Sequence, residues 1–155
     1  MSAPTHSEPD LSRREEMTVS GAAMSGAPWG TAVVTGGVVA AGDFALHVLG
    51  SGLSGFHLSA LSGSVAMGVV AFFVVAAAGA LWRAKPSRAI RWARRHPWRF
   101  AVMPAIACAA IALVLSVVTG GGIISGVLSG LWHGGVVYGL TGVAGLASKS
   151  RKPAA

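Results

Sequence analysis

Charge is what this 155-residue sequence has least of: 11% of its residues are Asp, Glu, Lys or Arg, against about a quarter in an ordinary soluble domain. The deficit falls in blocks. Between Thr31 and Trp82 the only formal charge is Asp43, and between Phe100 and Ala147 there is none. A soluble helical bundle would need polar faces at helical period in these blocks, and they have none. Cysteine is scarcer still. Cys108 stands alone, which excludes an intramolecular disulfide and any cysteine-based metal site. Acids number five, four of them within the first 28 residues, so no second carboxylate accompanies Asp43 in an apolar block. G-x-S-x-G, H-E-x-x-H and the P-loop lysine are also missing. No enzymatic activity, cofactor or metal is expected, since His47, His57 and His133 lack ligand spacing.

What is present is apolar. Hydrophobic residues make up 53% of the chain, and about 20 helical residues cross a hydrocarbon core. Each charge-poor block therefore holds two helices. The expected fold is an all-α, integral membrane four-helix bundle with spans at about 31–49, 60–82, 100–118 and 123–147, within a transmembrane domain over 29–148. The breaks are "GSGLSGFHLS" (Gly50 to Ser59) and "TGGG" (Thr119 to Gly122), where Gly and Ser supply turns.

All twelve Lys and Arg lie in three places: the N-terminal tail, the stretch Arg83 to Arg99, and a basic C-terminal tail over 149–155. Basic loops stay in the cytoplasm, so both termini and the central loop are expected there, in a cell membrane with an anionic inner leaflet. Trp29, Trp82 and Trp98 fall at span ends on that same side, where amphipathic rings prefer the headgroup level. Residues 1–28 are rich in Ser, Pro, Glu, Ala and Gly and are expected to form a disordered cytoplasmic tail. They lack the pattern of a signal peptide.

The central loop reads "RAKPSRAIRWARRHPWRF", Arg83 to Phe100. Ser87 is placed to cap a short helix that Pro97 stops after His96. Arg88, Arg91 and Arg95 would share one face, while Ala89, Ile90, Trp92 and Ala93 supply apolar area. Such a helix would lie at the membrane interface. The loop arginines, Arg88, Arg91, Arg94, Arg95 and Arg99, could hold anionic lipid, bind DNA non-specifically through its phosphates, or meet a protein partner.

Glycine is abundant, at 22 residues where roughly 11 would be usual. Lipid offers no hydrophobic drive between helices, and close backbone approach over small residues takes its place. Gly122, Gly126, Gly130 and Gly134 form one stripe at a spacing of four, and Gly135 with Gly139 begins another. Ala32, Gly36 and Ala40 repeat the theme in the first span. These stripes are helix-packing surfaces, and a homo-oligomer is the expected use of the spare one. Spacing does not say whether the partner helix belongs to the same chain.

Asp43 is the sole acid of the membrane region, and His47 follows it on the same helical face. His133 lies near the middle of the fourth span. At 1.5 Å per residue the depths of Asp43 and His133 differ by only ~6 Å, so the two could meet, with Ser125 and Ser129 beside the imidazole. Two readings stand. Asp43, His47 and His133 form a proton-coupled site of a small transporter or channel, or Asp43 pairs with His47 and fixes helix packing.

Four short spans with one acid in the first resemble the small multidrug-resistance transporters, although those place their glutamate in a different sequence context and lack a long basic loop. In its Ala/Gly/Val/Arg-rich composition, its polar tail ahead of the first span and the basic "RWARRHPWRF" entering the third, the chain resembles the small integral membrane spread proteins of actinomycete conjugative plasmids. That resemblance covers the chain in outline and carries over no catalytic or binding motif. It implies a non-enzymatic role in plasmid transfer: membrane helices forming an assembly or pore, alongside other membrane transfer proteins, with basic segments meeting DNA or a partner.

Overall fold

The computed structural model describes residues 12–52, 58–82 and 87–150. His6, His57, Arg83, Lys85, Arg151 and Lys152 lie outside them. Six helices and no strand occur among the described residues: α1 (Arg13–Met24), α2 (Trp29–Ser51), α3 (Leu58–Trp82), α4 (Arg88–Arg95), α5 (Pro97–Val118) and α6 (Gly122–Ser150). The spans within α2, α3, α5 and α6 are long and apolar enough to cross a membrane. Their bounds extend the expected spans by two or three residues at several ends. The four run alternately up and down, so α1, α4 and the last turn of α6 collect at one end of the bundle. The end of α2, the start of α3 and the α5–α6 turn lie at the other, hairpin end.

Two hairpins build the bundle. In the second, α5 and α6 pack most extensively of all, and glycine is the reason. A Cβ at Gly130 would stand 2.8 Å from the Ala109 carbonyl oxygen, one at Gly134 2.9 Å from that of Ala105, and one at Gly126 3.1 Å from that of Leu113. The stripe is thus spent within the chain, on the backbone of α5. Gly122 does not belong to it. Nothing lies within 4 Å of a Cβ there, and its φ of +74°, with Gly120 at +86°, serves the turn into α6. Gly135 and Gly139 also meet nothing within 4 Å, so the second expected stripe is unpartnered within the chain.

In the first hairpin, Gly36 and Gly68 face each other reciprocally. A Cβ on either would lie 2.6–2.7 Å from the other's carbonyl oxygen. α2 contacts α3 along its length, and α3 in turn contacts α5 and α6. Only Ala32 and Gly36 of α2 are buried. Val33, Val34, Val38, Leu46 and Leu49 face outward, as do large apolar residues on all four spans. Water would penalise so much exposed apolar surface; hydrocarbon does not.

At the opposite end the expected disordered tail gives way, over residues 13–24, to a helix. Ser12 caps it: the Ser12 hydroxyl accepts from the Glu15 amide, and the Glu15 carboxylate accepts from the Ser12 amide at 2.8 Å. This S-x-x-E capping box satisfies two of the otherwise orphaned N–H groups. The helix then buries Ser20, Ala23 and Met24 along one stripe, and Ala23, Met24 and Ala27 join a core with Ala76, Ala77, Ala80, Leu81, Ile90, Ala93 and Phe100.

Gly130→Val should force α5 and α6 apart and cost about 1–3 kcal/mol, the usual penalty for overpacking, whereas Gly135→Val should cost little; unfolding in mixed micelles compares the two. The Ser12 amide, and secondarily its hydroxyl, hold the Glu15 carboxyl below its usual range. Because folding lowers this pKa, the box stabilises α1 above the ordinary carboxylate range and is lost as pH falls through the folded value. Amide exchange at the start of α1 should therefore accelerate on acidification, and Glu15→Ala should abolish that dependence.

Candidate functional site

The capped end concentrates the basic residues, and α4 arranges them. Ser87 accepts from the Ile90 amide at 3.2 Å, so the helix starts where the sequence places it. Part of its apolar side packs on the bundle, with Ala89 and Trp92 only partly buried. Ile90 and Ala93 are buried in the core that α1, α3 and α5 share with it. The opposite face carries Arg88, Arg91 and Arg95, all exposed. At 100° per residue these three lie almost diametrically across the helix from Ile90 and Ala93, so they point away from the core. Lys149 adds a fourth cation, its Nζ donating to the Arg95 carbonyl at 2.9 Å.

Arg94 and Arg99 have different work. Arg94 Nε donates to the Leu81 carbonyl at 2.8 Å, satisfying one of the last acceptors of α3. Arg99 forms an ion pair with Glu16 of α1, tying that helix to α5. Of the described loop arginines, Arg88, Arg91 and Arg95 are exposed on the outer face of α4, while Arg94 and Arg99 also tie that region to α3 and α1. Their positions are plain in the sequence; the arrangement depends on which helix faces meet.

Asp43 is half-buried and accepts a hydrogen bond of 2.6 Å from Ser64 of α3. Neither expected partner is there. No ion pair joins it to His47 among the described residues, and the His47 ring is exposed, because the turn of α2 that aims Asp43 at α3 leaves His47 outward. Nor does Asp43 reach His133. α3 stands between α2 and α6, so similar depth does not bring them together. Ser64 is almost fully buried; nothing in its sequence spacing ties it to Asp43, and its place inside an apolar span is the available signal.

His133 lies instead in a second polar region, a cleft lined by Ser62, Ser116, Ser125 and Ser129 with Ala and Leu side chains. Its Nδ1 is 2.7 Å from the Ser129 carbonyl. A carbonyl only accepts, so Nδ1 carries the hydrogen and Nε2 is left as the acceptor. Of this set, Ser125 and Ser129 were legible from their spacing with His133. Ser62 and Ser116 come from other helices. No cluster of three metal-ligating side chains occurs among the described residues.

No protein-family model, curated protein or solved structure matches the chain. Its function is therefore read from these sites.

Asp43→Asn keeps an acceptor for Ser64 and should change stability by less than about 1 kcal/mol, while Asp43→Leu leaves the buried Ser64 hydroxyl unpaired and should cost about 1–3 kcal/mol. Chemical unfolding of the two variants in detergent separates them.

Proposed function

We propose that the protein is a non-enzymatic, multi-pass cell-membrane component that holds cytoplasmic DNA against the bilayer through its capped end. The observation that carries this is the outward set on α4. Arg88, Arg91 and Arg95 stand opposite a face already buried in the bundle, so the cations are displayed on a braced surface, away from the core. Ile90 and Ala93 of the apolar face are committed to the core rather than to lipid. The excess of basic residues at this end also supports a cytoplasmic orientation for it.

Arginine guanidinium groups suit phosphate oxygens, and a row of them without base-reading elements binds DNA irrespective of sequence. The resemblance to plasmid spread proteins fits this use, with the bundle as membrane anchor or pore and further transfer proteins as neighbours. Self-association would draw on the open surface at Gly135 and Gly139. The proton-coupled alternative loses its central pair, because Asp43 and His133 lie on different sides of α3.

Binding of duplex DNA to the full chain in zwitterionic vesicles tests the reading. Affinity should fall steeply with salt, and R88Q/R91Q/R95Q together should reduce the slope of log K against log salt by about 2.7, or about 0.9 for each phosphate no longer neutralised. An unchanged slope, or a wild-type protein that binds anionic vesicles but no DNA, rejects it.

A further inference from the structure

The cleft around His133 is unexplained by DNA anchoring. It lies between α3, α5 and α6 toward the hairpin end and has a volume of about 130 Å³. A single water needs about 10–15 Å³ on this kind of measure, so several fit. Each would find hydroxyls, since Ser62 comes from α3, Ser116 from α5, and Ser125 and Ser129 from α6. Ser116 and Ser125 hydroxyls stand 3.5 Å apart across the α5–α6 seam. His133 is eleven residues into α6, about 16 Å along the axis, which is roughly half of a 30 Å hydrocarbon core. Hydroxyls thus descend from the hairpin end to an imidazole near mid-membrane.

One turn further in, each of the three helices changes character. Ala66 of α3 is followed by Val70, Ala112 of α5 is succeeded in depth by Cys108, and His133 of α6 by Val137. These three are buried and pack together with Ala105 in one apolar cluster. Another turn along α6 lies Thr141. It is fully buried, and its hydroxyl is the one buried side-chain polar atom without a hydrogen-bond partner among the described residues. An unpaired buried hydroxyl is costly, and a helical threonine normally has the carbonyl of residue i−4 within reach. Its position continues the line of Ser125, Ser129 and His133 beyond the apolar layer.

We propose that α3, α5 and α6 enclose the closed form of a permeation path for water and the protons it carries. Its vestibule is hydrated from the hairpin end and floored by His133. A single apolar layer of Val70, Cys108 and Val137 shuts it, and Thr141 is the first polar group beyond. His133 is the titratable side chain of the vestibule; among the described residues the other one lining the path is Cys108, in the gate, and Asp43 faces the far side of α3. The path is independent of the DNA-anchoring reading and stands or falls separately.

The full chain in liposomes provides the test, using a membrane-impermeant thiol reagent that attacks only thiols reached by water. On a Cys108→Val background, Ser129→Cys should react at least tenfold faster than its neighbour Leu128→Cys, which is more exposed in the structure but faces hydrocarbon. In the otherwise native chain Cys108 should be inert, and Val137→Ala should raise both its labelling and the proton flux reported by an internal pH dye at least tenfold. Val70→Ala opens the same layer from another helix and serves if Val137→Ala fails to assemble. Equal rates at positions 128 and 129 would overturn the vestibule. Labelling of Cys108 without proton flux in the gate variants would overturn the permeation path.

Discussion

Backbone-to-backbone contact between α5 and α6 is the constraint on which the rest of the structure depends. In hydrocarbon, helices gain nothing from hiding leucine, and association rests on how closely their surfaces can approach. Gly126, Gly130 and Gly134 remove side chains along the line where the carbonyls of Leu113, Ala109 and Ala105 pass. The hairpin that results is a fixed wall. α3 lies against both of its helices, and α2 reaches the bundle through α3 by the reciprocal approach of Gly36 and Gly68. This chain of dependence explains why Asp43 and His133, similar in depth, end on different faces of α3.

The same constraint shapes the polar interior. Where glycine brings α5 and α6 together, the serines flanking that seam are carried to its edge, and α3 closes over them incompletely. A polar ladder on an isolated helix would satisfy itself on its own backbone, as the His133 ring does on the Ser129 carbonyl. Only the third helix makes a cleft of it. The apolar layer beneath arises similarly, from three residues that are far apart in the chain and level in the bundle.

At the capped end ordinary aqueous chemistry returns. α1 is held by a capping box, a small apolar stripe and the Glu16–Arg99 ion pair, and α4 by Ile90 and Ala93. Exposed ion pairs contribute little on their own, so burial of Ala23, Met24 and Ile90 is what seats the cap. Arg94 is needed for the carbonyls at the end of α3. Arg88, Arg91 and Arg95 lie exposed on the face the core does not use.

Much of this was legible in the residues. Spans, turns and the α4 start follow from runs of uncharged residues, from glycine at 120 and 122 and from Ser87 before a basic amphipathic stretch, because each is dictated by neighbours within a few positions. The α1 capping box was equally local, in "SRRE", but was masked by the polar composition around it. The partner of Asp43, the separation of Arg94 and Arg99 from the outward arginines, and the partition of glycines between seam, turn and open face were settled only by tertiary structure. Helical period tells which residues share a face. It carries no information on which face meets which helix, because that is decided by backbone approach summed over the whole bundle.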